Sequence, residues 1–291
     1  MIEMPSRPIW PGVTVFAIPV CCSTLFHKPV SARACDSLVI RPVHTVPAMK
    51  TSRILFAGLA LFVGFGFAGP AQAGPKAVVE LFTSQGCSSC PPADEFLGDL
   101  KTRDDLIVLS LPVDYWDYLG WKDTFSKPEH SERQYAYSRA RGDRRVYTPQ
   151  IIVNGGDHYV GSHRSAVKKA IGETELPVDI SIKSEDGSIT ITIGGADLQT
   201  GHTTVRLVTY TSAAEVAIGR GENHGRSITY NNIVRSMRPI GVWKGEAMTV
   251  SLPRDEILGE DIDGCAVIVQ EDAKGGPGRI LGAAAWMRPT S

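Results

Sequence analysis

The sequence has almost no excess of either charge, with 30 basic against 31 acidic side chains in 291 residues. A chain so balanced lacks the basic surplus with which proteins neutralise phosphate backbones, which argues against a nucleic-acid partner. It also lacks a long apolar run. The most apolar stretch, Ile54 to Ala68, falls short of the roughly 18 to 20 residues that a spanning helix needs, so no permanent membrane anchor is expected. Cysteine is sparse, and only one Cys-x-x-Cys occurs, which excludes a zinc site built from two such pairs.

The apolar stretch does have a use. Met49-Lys50-Thr51-Ser52-Arg53 precedes it and Ala71-Gln72-Ala73 follows it. A positive segment, an apolar segment and a small-x-small site together describe a secretory signal over 49–73. Cleavage after Ala73 and a periplasmic or secreted location are therefore expected. No cysteine follows that site, so a lipid-modified N-terminus is not. Residues 1–48 are rich in proline and show no sustained periodicity, so they read as an untranslated or disordered extension, with Met49 as the preferred start. On that reading Cys21, Cys22 and Cys35 are absent from the exported protein, which keeps Cys87, Cys90 and Cys265.

The sharpest chemistry lies between Ala77 and Leu100. Ala77 to Phe82 has the length and β-branched content of a buried strand. After Gly86 come Cys87-Ser88-Ser89-Cys90 and then Pro91-Pro92, which lack an N–H and fit only the first turn of a helix. The cysteines thus fall at a helix start, where free backbone N–H groups and the helix dipole favour a thiolate. A dithiol so placed can attack a disulfide and resolve the product. Two alternatives remain open: a static local disulfide in a partner-binding module, and a Cu(I) site on the two sulfurs. His158 and His163 have ligand-like spacing, but they stand far from Cys90 in sequence. No cofactor is implied.

Further strands are expected at Leu106–Val113 and in a hairpin of Gln150–Val153 with His158–Val160. A helix starts near Ser126, where Glu129 completes a capping-box pattern, and ends at Gly142; another runs from about His163 to Ile171 behind Ser162. The order over 74–172 is βαβαββα. After a polar linker, 178–291 reads as about seven short strands, which points to an antiparallel sandwich.

The order over 74–172, the Cys-x-x-Cys at the first strand-to-helix junction and Thr148-Pro149 before the hairpin resemble the thioredoxin fold. The longer pattern of FTSQGCSSCPPAD, VDYWDYLGW, RQYAY, VYTPQ and GENHGR is similar to a family of secreted bacterial thioredoxin-like proteins of unknown function. The resemblance implies an α/β thioredoxin-like domain followed by an all-β sandwich-like domain. It also implies a cis peptide at Pro149 facing Cys87 and Cys90, with protein or small-molecule thiols and disulfides as partners. Cys87, on an exposed rim, is expected to attack and Cys90 to resolve.

Between the second strand and its helix, Asp114 to Trp121 gathers four aromatics and two acids. Trp116, Asp117 and Trp121, together with Thr148, are candidate substrate contacts, and Asp114 or Asp117 is a candidate proton acceptor. The alternative is that Trp116 and Trp121 pin the loop to the domain. Arg220 to Arg226 reads either as a solvated turn or as a loop touching the cysteine face. Cys265, opening an apolar strand, reads as a buried, inert thiol.

Overall fold

The computed structural model describes residues 74–197 and 202–289. The extension over 1–48, the signal over 49–73 and Cys21, Cys22 and Cys35 lie outside the described residues. No helix among the described residues is long and apolar enough to cross a membrane.

The first half follows the local signals closely. Strand β1 (Ala77–Thr83) leads through the cysteine turn into helix α1 (Pro91–Lys101). Strand β2 (Leu106–Pro112), helix α2 (Pro128–Arg141), the hairpin of β3 (Gln150–Val153) and β4 (His158–Val160), and helix α3 (Arg164–Gly172) follow. Pro91 and Pro128 both stand in first turns, where their missing N–H costs nothing. Gly142 closes α2 at φ 74°, its N–H donating to the carbonyls of Ser138 and Arg139. The capping box at Ser126 does not form. Lys127 is the residue before α2, because the Ser126 hydroxyl is held 2.9 Å from Asp117 Oδ2. Likewise His163, not Ser162, precedes α3.

The remaining strands are β5 (Ile180–Glu185), β6 (Ser188–Ile193), β7 (Thr203–Ala217), β8 (Ser227–Trp243), β9 (Met248–Pro253), β10 (Gly264–Ala273) and β11 (Gly276–Met287), with a one-turn helix α4 (Arg254–Ile257) after β9. They do not make a domain of their own. β11, β10, β7 and β8 continue the sheet of β2, β1, β3 and β4, giving one eight-stranded mixed sheet, while β5, β6 and β9 form a separate three-stranded sheet.

The expected succession of an α/β thioredoxin-like domain and an all-β antiparallel sandwich is therefore not the architecture. Among the described residues the protein is mostly β, with 44% strand against 19% helix. The join explains why. β2 is buried along its whole length, and a fully buried strand cannot be left as an open edge. β8 closes that edge in parallel, with Ser110 opposite Ile233. Beside the join, Asn232 adopts φ 45° and its side-chain amide donates to the Val108 carbonyl at 2.9 Å.

Three cores result. α2 covers one face of the large sheet through Tyr137, packed with Phe82, Leu109, Val208 and Ile268. On a second core, Phe96, Leu97 and Leu100 of α1 and Val167 of α3 pack against Val79, Leu81 and Ile151. The three-stranded sheet packs Ile189, Ile191 and Ile193 against Val205, Leu207 and Val267. Alternation along β10 divides its residues between two cores: Ala266 and Ile268 join the α2 core, Cys265, Val267 and Val269 the small-sheet core. Burial pushes the Cys265 thiol up to about 11, so it stays protonated and inert.

Candidate functional site

The site is built where β1 turns into α1. The Cys87 N–H donates to the Ser84 carbonyl at 3.2 Å, and the Cys90 N–H returns to the Cys87 carbonyl at 3.2 Å. The Cys90 carbonyl then opens α1, accepting from Ala93 at 2.8 Å and Asp94 at 3.1 Å. This tight turn brings Cys87 and Cys90 into a disulfide. The expectation that Cys87 lies on an exposed rim is not met. Cys87 is 1% exposed and Cys90 0%, although Ser88 and Ser89 between them are exposed.

The cover comes from the far half of the chain. The loop between β7 and β8 folds over the cysteine turn, and Asn223 is buried in the contact. Its amide donates to the carbonyls of Gln85 and Cys87, both at 2.9 Å. The Ser88 N–H donates to the Glu222 carboxylate at 3.1 Å, and the Ser88 hydroxyl and N–H together hold the Glu222 pKa below its ordinary range. Gly221 adopts φ 79°, a conformation that favours glycine, and a Cβ there would press on Trp121 Cβ at 3.3 Å. Of the two sequence readings of Arg220 to Arg226, contact with the cysteine face is what forms.

The aromatic loop is tied to the same turn. Trp121 donates its indole N–H to Gln85 Oε1 at 2.9 Å, and Trp116 donates to Thr148 Oγ1 at 2.9 Å. The Thr148–Pro149 peptide is cis, and Ser89 Oγ lies 3.5 Å from the Thr148 carbonyl. Ser89 Oγ is also 3.3 Å from Cys87 Sγ. Thus Cys87, Cys90, Trp116, Trp121, Thr148 and Pro149 gather about one turn. Asp117 stands a layer behind, accepting from the Asp123 N–H at 3.1 Å and from the Ser126 hydroxyl. Asp114 is bound to the Ser131 hydroxyl. Both indole N–H groups are spent within the protein, which favours pinning of the loop. Its outermost residue, Tyr118, is 81% exposed.

Asp114 and Asp117 are engaged within the aromatic loop, and a further buried acid, Asp94, follows the disulfide in α1. It lies one helical turn beyond Cys90, is 2% exposed, and neither carboxylate oxygen has a hydrogen-bond partner among the described residues. Burial raises its pKa well above the carboxylate range, and the charge of Asp123 pushes the same way. The Thr83 hydroxyl offsets part of this without closing a hydrogen bond. Asp123 itself is pushed up to about 6 by burial, although its oxygens accept from the N–H groups of Gln85 and Phe125 at 2.8 Å each. Tyr230, whose hydroxyl is also unpartnered, feels both acids. The signal for Asp94 was in the sequence: an acid four residues after the second cysteine, on the helix face otherwise made of Ala93, Phe96, Leu97 and Leu100.

The histidines do not join the sulfurs. His158 Nδ1 lies 2.7 Å from the Tyr147 hydroxyl and Nε2 lies 3.1 Å from Asp143, while His163 stands at the start of α3. Among the described residues, no group of three or more His, Cys, Asp or Glu side chains is arranged to hold a metal ion.

Fold and site define a mixed-sheet protein with a buried disulfide at a helix start, closed over by a hairpin loop of its own chain. The chain belongs to the family described as "Protein of unknown function (DUF1223)", whose model matches residues 78–270, a span holding both the cysteine turn and the loop that covers it. It is similar to the X-ray crystal structure of a protein from Agrobacterium tumefaciens, at 38% identity and a TM-score of 0.68, with 76% of this chain and 98% of that chain covered. Among curated proteins, none matches.

Proposed function

We propose that the protein carries out thiol–disulfide exchange at Cys87–Cys90 outside the cytoplasm. The observation that carries this reading is the unpartnered carboxyl of Asp94, buried one turn behind a helix-start disulfide. Burying an ionisable acid without partners costs stability, and a static staple has no need of it. A buried cysteine that must gain or lose a proton does. In the first step a partner thiolate attacks Cys87 Sγ; a sulfur–sulfur bond forms to the partner, the Cys87–Cys90 bond breaks, and Cys90 leaves as a thiolate that takes up a proton through Asp94. In the second, another partner thiolate attacks the partner sulfur of the mixed disulfide and releases Cys87. The partner leaves oxidised by two electrons and the protein is left as a dithiol; the reverse sequence closes the bond.

Both sulfurs are buried, so exchange requires the Asn223 loop to lift. Equilibration of the protein with glutathione mixtures, with thiols then alkylated and counted by intact mass, tests the reading. The expected result is a reversible two-electron transition with a midpoint above about −300 mV. A bond that excess dithiothreitol leaves closed in the native protein would overturn it.

Export is part of the proposal and rests on the pattern from Met49 to Ala73. Mass spectrometry of the periplasmic fraction should find an N-terminus at or near Gly74. Peptides from residues 1–48 in that fraction would count against it.

A further inference from the structure

A cavity of about 480 Å³ lies beside α2, away from the cysteines, and none of its lining residues belongs to the disulfide site. Its volume falls in the range of small-molecule sites, roughly 300 to 1,000 Å³. Arg133, Arg139, Arg206, Arg235 and Lys127 line it, against only two acids, Glu129 and Glu132. Leu111, Ala136, Met237 and Pro277 supply apolar wall, beside His130 and Ser236.

Two of the cations keep donor capacity that the protein does not use. Arg133 is locked by Glu80, its Nε 2.7 Å from Oε1, and by Tyr137 and Gln270 through Nη2, which leaves Nη1 without a hydrogen bond among the described residues. The Arg206 side chain makes no hydrogen bond among the described residues. Its nearest acid, Asp272, stands 4.0 Å away with both oxygens already accepting from Thr204, and its Nε is buried and unpartnered. Arg206 also stands where β7 shifts register against β8, a kind of irregularity that re-aims a side chain. Burial and the like charge of Arg133 lower the Arg206 pKa, and Asp272 offsets only part of this.

We propose that this cavity binds a small organic carboxylate with an apolar tail, its head group held by Arg206 and the free edge of Arg133 and its tail laid along Leu111 and Met237. Guanidinium groups match the planar, two-oxygen geometry of a carboxylate. With Glu80 neutralising Arg133 and two glutamates at the lining, the surplus positive charge suits a ligand of low charge, not a polyanion.

The test is calorimetric titration of the full-length protein with octanoate and, as the uncharged isostere, octanamide. Octanoate should bind saturably and octanamide at least about tenfold more weakly, the difference a charge-assisted hydrogen bond makes. Arg206→Gln should lose octanoate affinity by a similar factor. Equal affinity for the two compounds, or no saturable binding of octanoate, would overturn the proposal. So would unchanged octanoate affinity in a folded Arg206→Gln variant; if that variant does not fold, the two-ligand comparison on the unaltered protein decides alone.

Discussion

Asn223 donates its side-chain amide to the backbone carbonyl of Cys87 at 2.9 Å, across 136 positions of sequence. The same amide holds the Gln85 carbonyl, so one side chain clamps the turn on both sides of Gly86. Asn223→Ala leaves two buried carbonyls without their donor and frees the loop. We expect a loss of about 1 to 3 kcal/mol in urea unfolding and a several-fold faster reduction of the disulfide by dithiothreitol. An unchanged reduction rate would show that the loop does not control access.

The two sulfurs have different surroundings despite equal burial. Cys87 is followed by exposed Ser88 and Ser89, whereas Cys90 abuts Pro91 and the body of α1. On the proposed exchange, Cys87 is the sulfur that a partner reaches once the loop lifts. Cys90→Ser should therefore accumulate a mixed disulfide with a model disulfide, read by intact mass, and Cys87→Ser should trap almost none. Equal trapping by both variants would reject this division of roles.

Asp94 makes stability depend on pH in a defined direction. Its pKa is raised on folding, so the folded state holds a proton that the unfolded chain releases above about 3.9, and stability falls as pH rises toward the folded pKa. Asp94→Asn removes this slope. Urea midpoints for the two proteins should lie closest near pH 4, and the variant should gain on the unaltered protein as pH rises to 7. In glutathione equilibration the same variant should still form the bond but reach equilibrium more slowly near neutral pH, where Asp94 can give up and take back a proton, and at an unchanged rate near pH 4, where Asp94 stays protonated.

His130 works in the opposite sense. Burial lowers its pKa to about 4, so the folded state keeps it neutral while the unfolded chain takes up a proton below about 6.5. Its contribution to stability is present above 6.5 and is lost as pH falls toward 4. His130→Gln should flatten this acid limb in thermal melts between pH 7 and 4; an unaltered limb would assign it to other groups.

The Glu80–Arg133 pair joins β1 to α2 in the core, with the Glu80 side chain fully buried. Glu80→Gln leaves the guanidinium without its counter-charge and should cost about 3 to 5 kcal/mol by urea unfolding. The double change Glu80→Leu with Arg133→Met should cost less than Glu80→Gln alone, because no lone charge is left buried.

Much of the local structure was legible in the chain itself. β-branched runs marked β1 and β2, Pro91 and Pro128 marked helix starts, and Asn154-Gly155 marked the turn between β3 and β4, because these signals act over a few residues through sterics and missing donors. The position of Cys87 and Cys90 at a helix start was equally local. What only the tertiary structure decided is partnership. Period-two alternation says which face of β8 is apolar but not that Ile233 pairs with Ser110, since that hydrogen bonding is between backbones and carries no side-chain signature. The same holds for Asn223 on Cys87: a polar residue in a glycine-flanked loop looks solvated until another half of the chain is packed beneath it. Burial of both sulfurs, and the isolation of Asp94 behind them, arise from that packing, for the dielectric around a group is set by everything folded against it and by nothing in its own few neighbours.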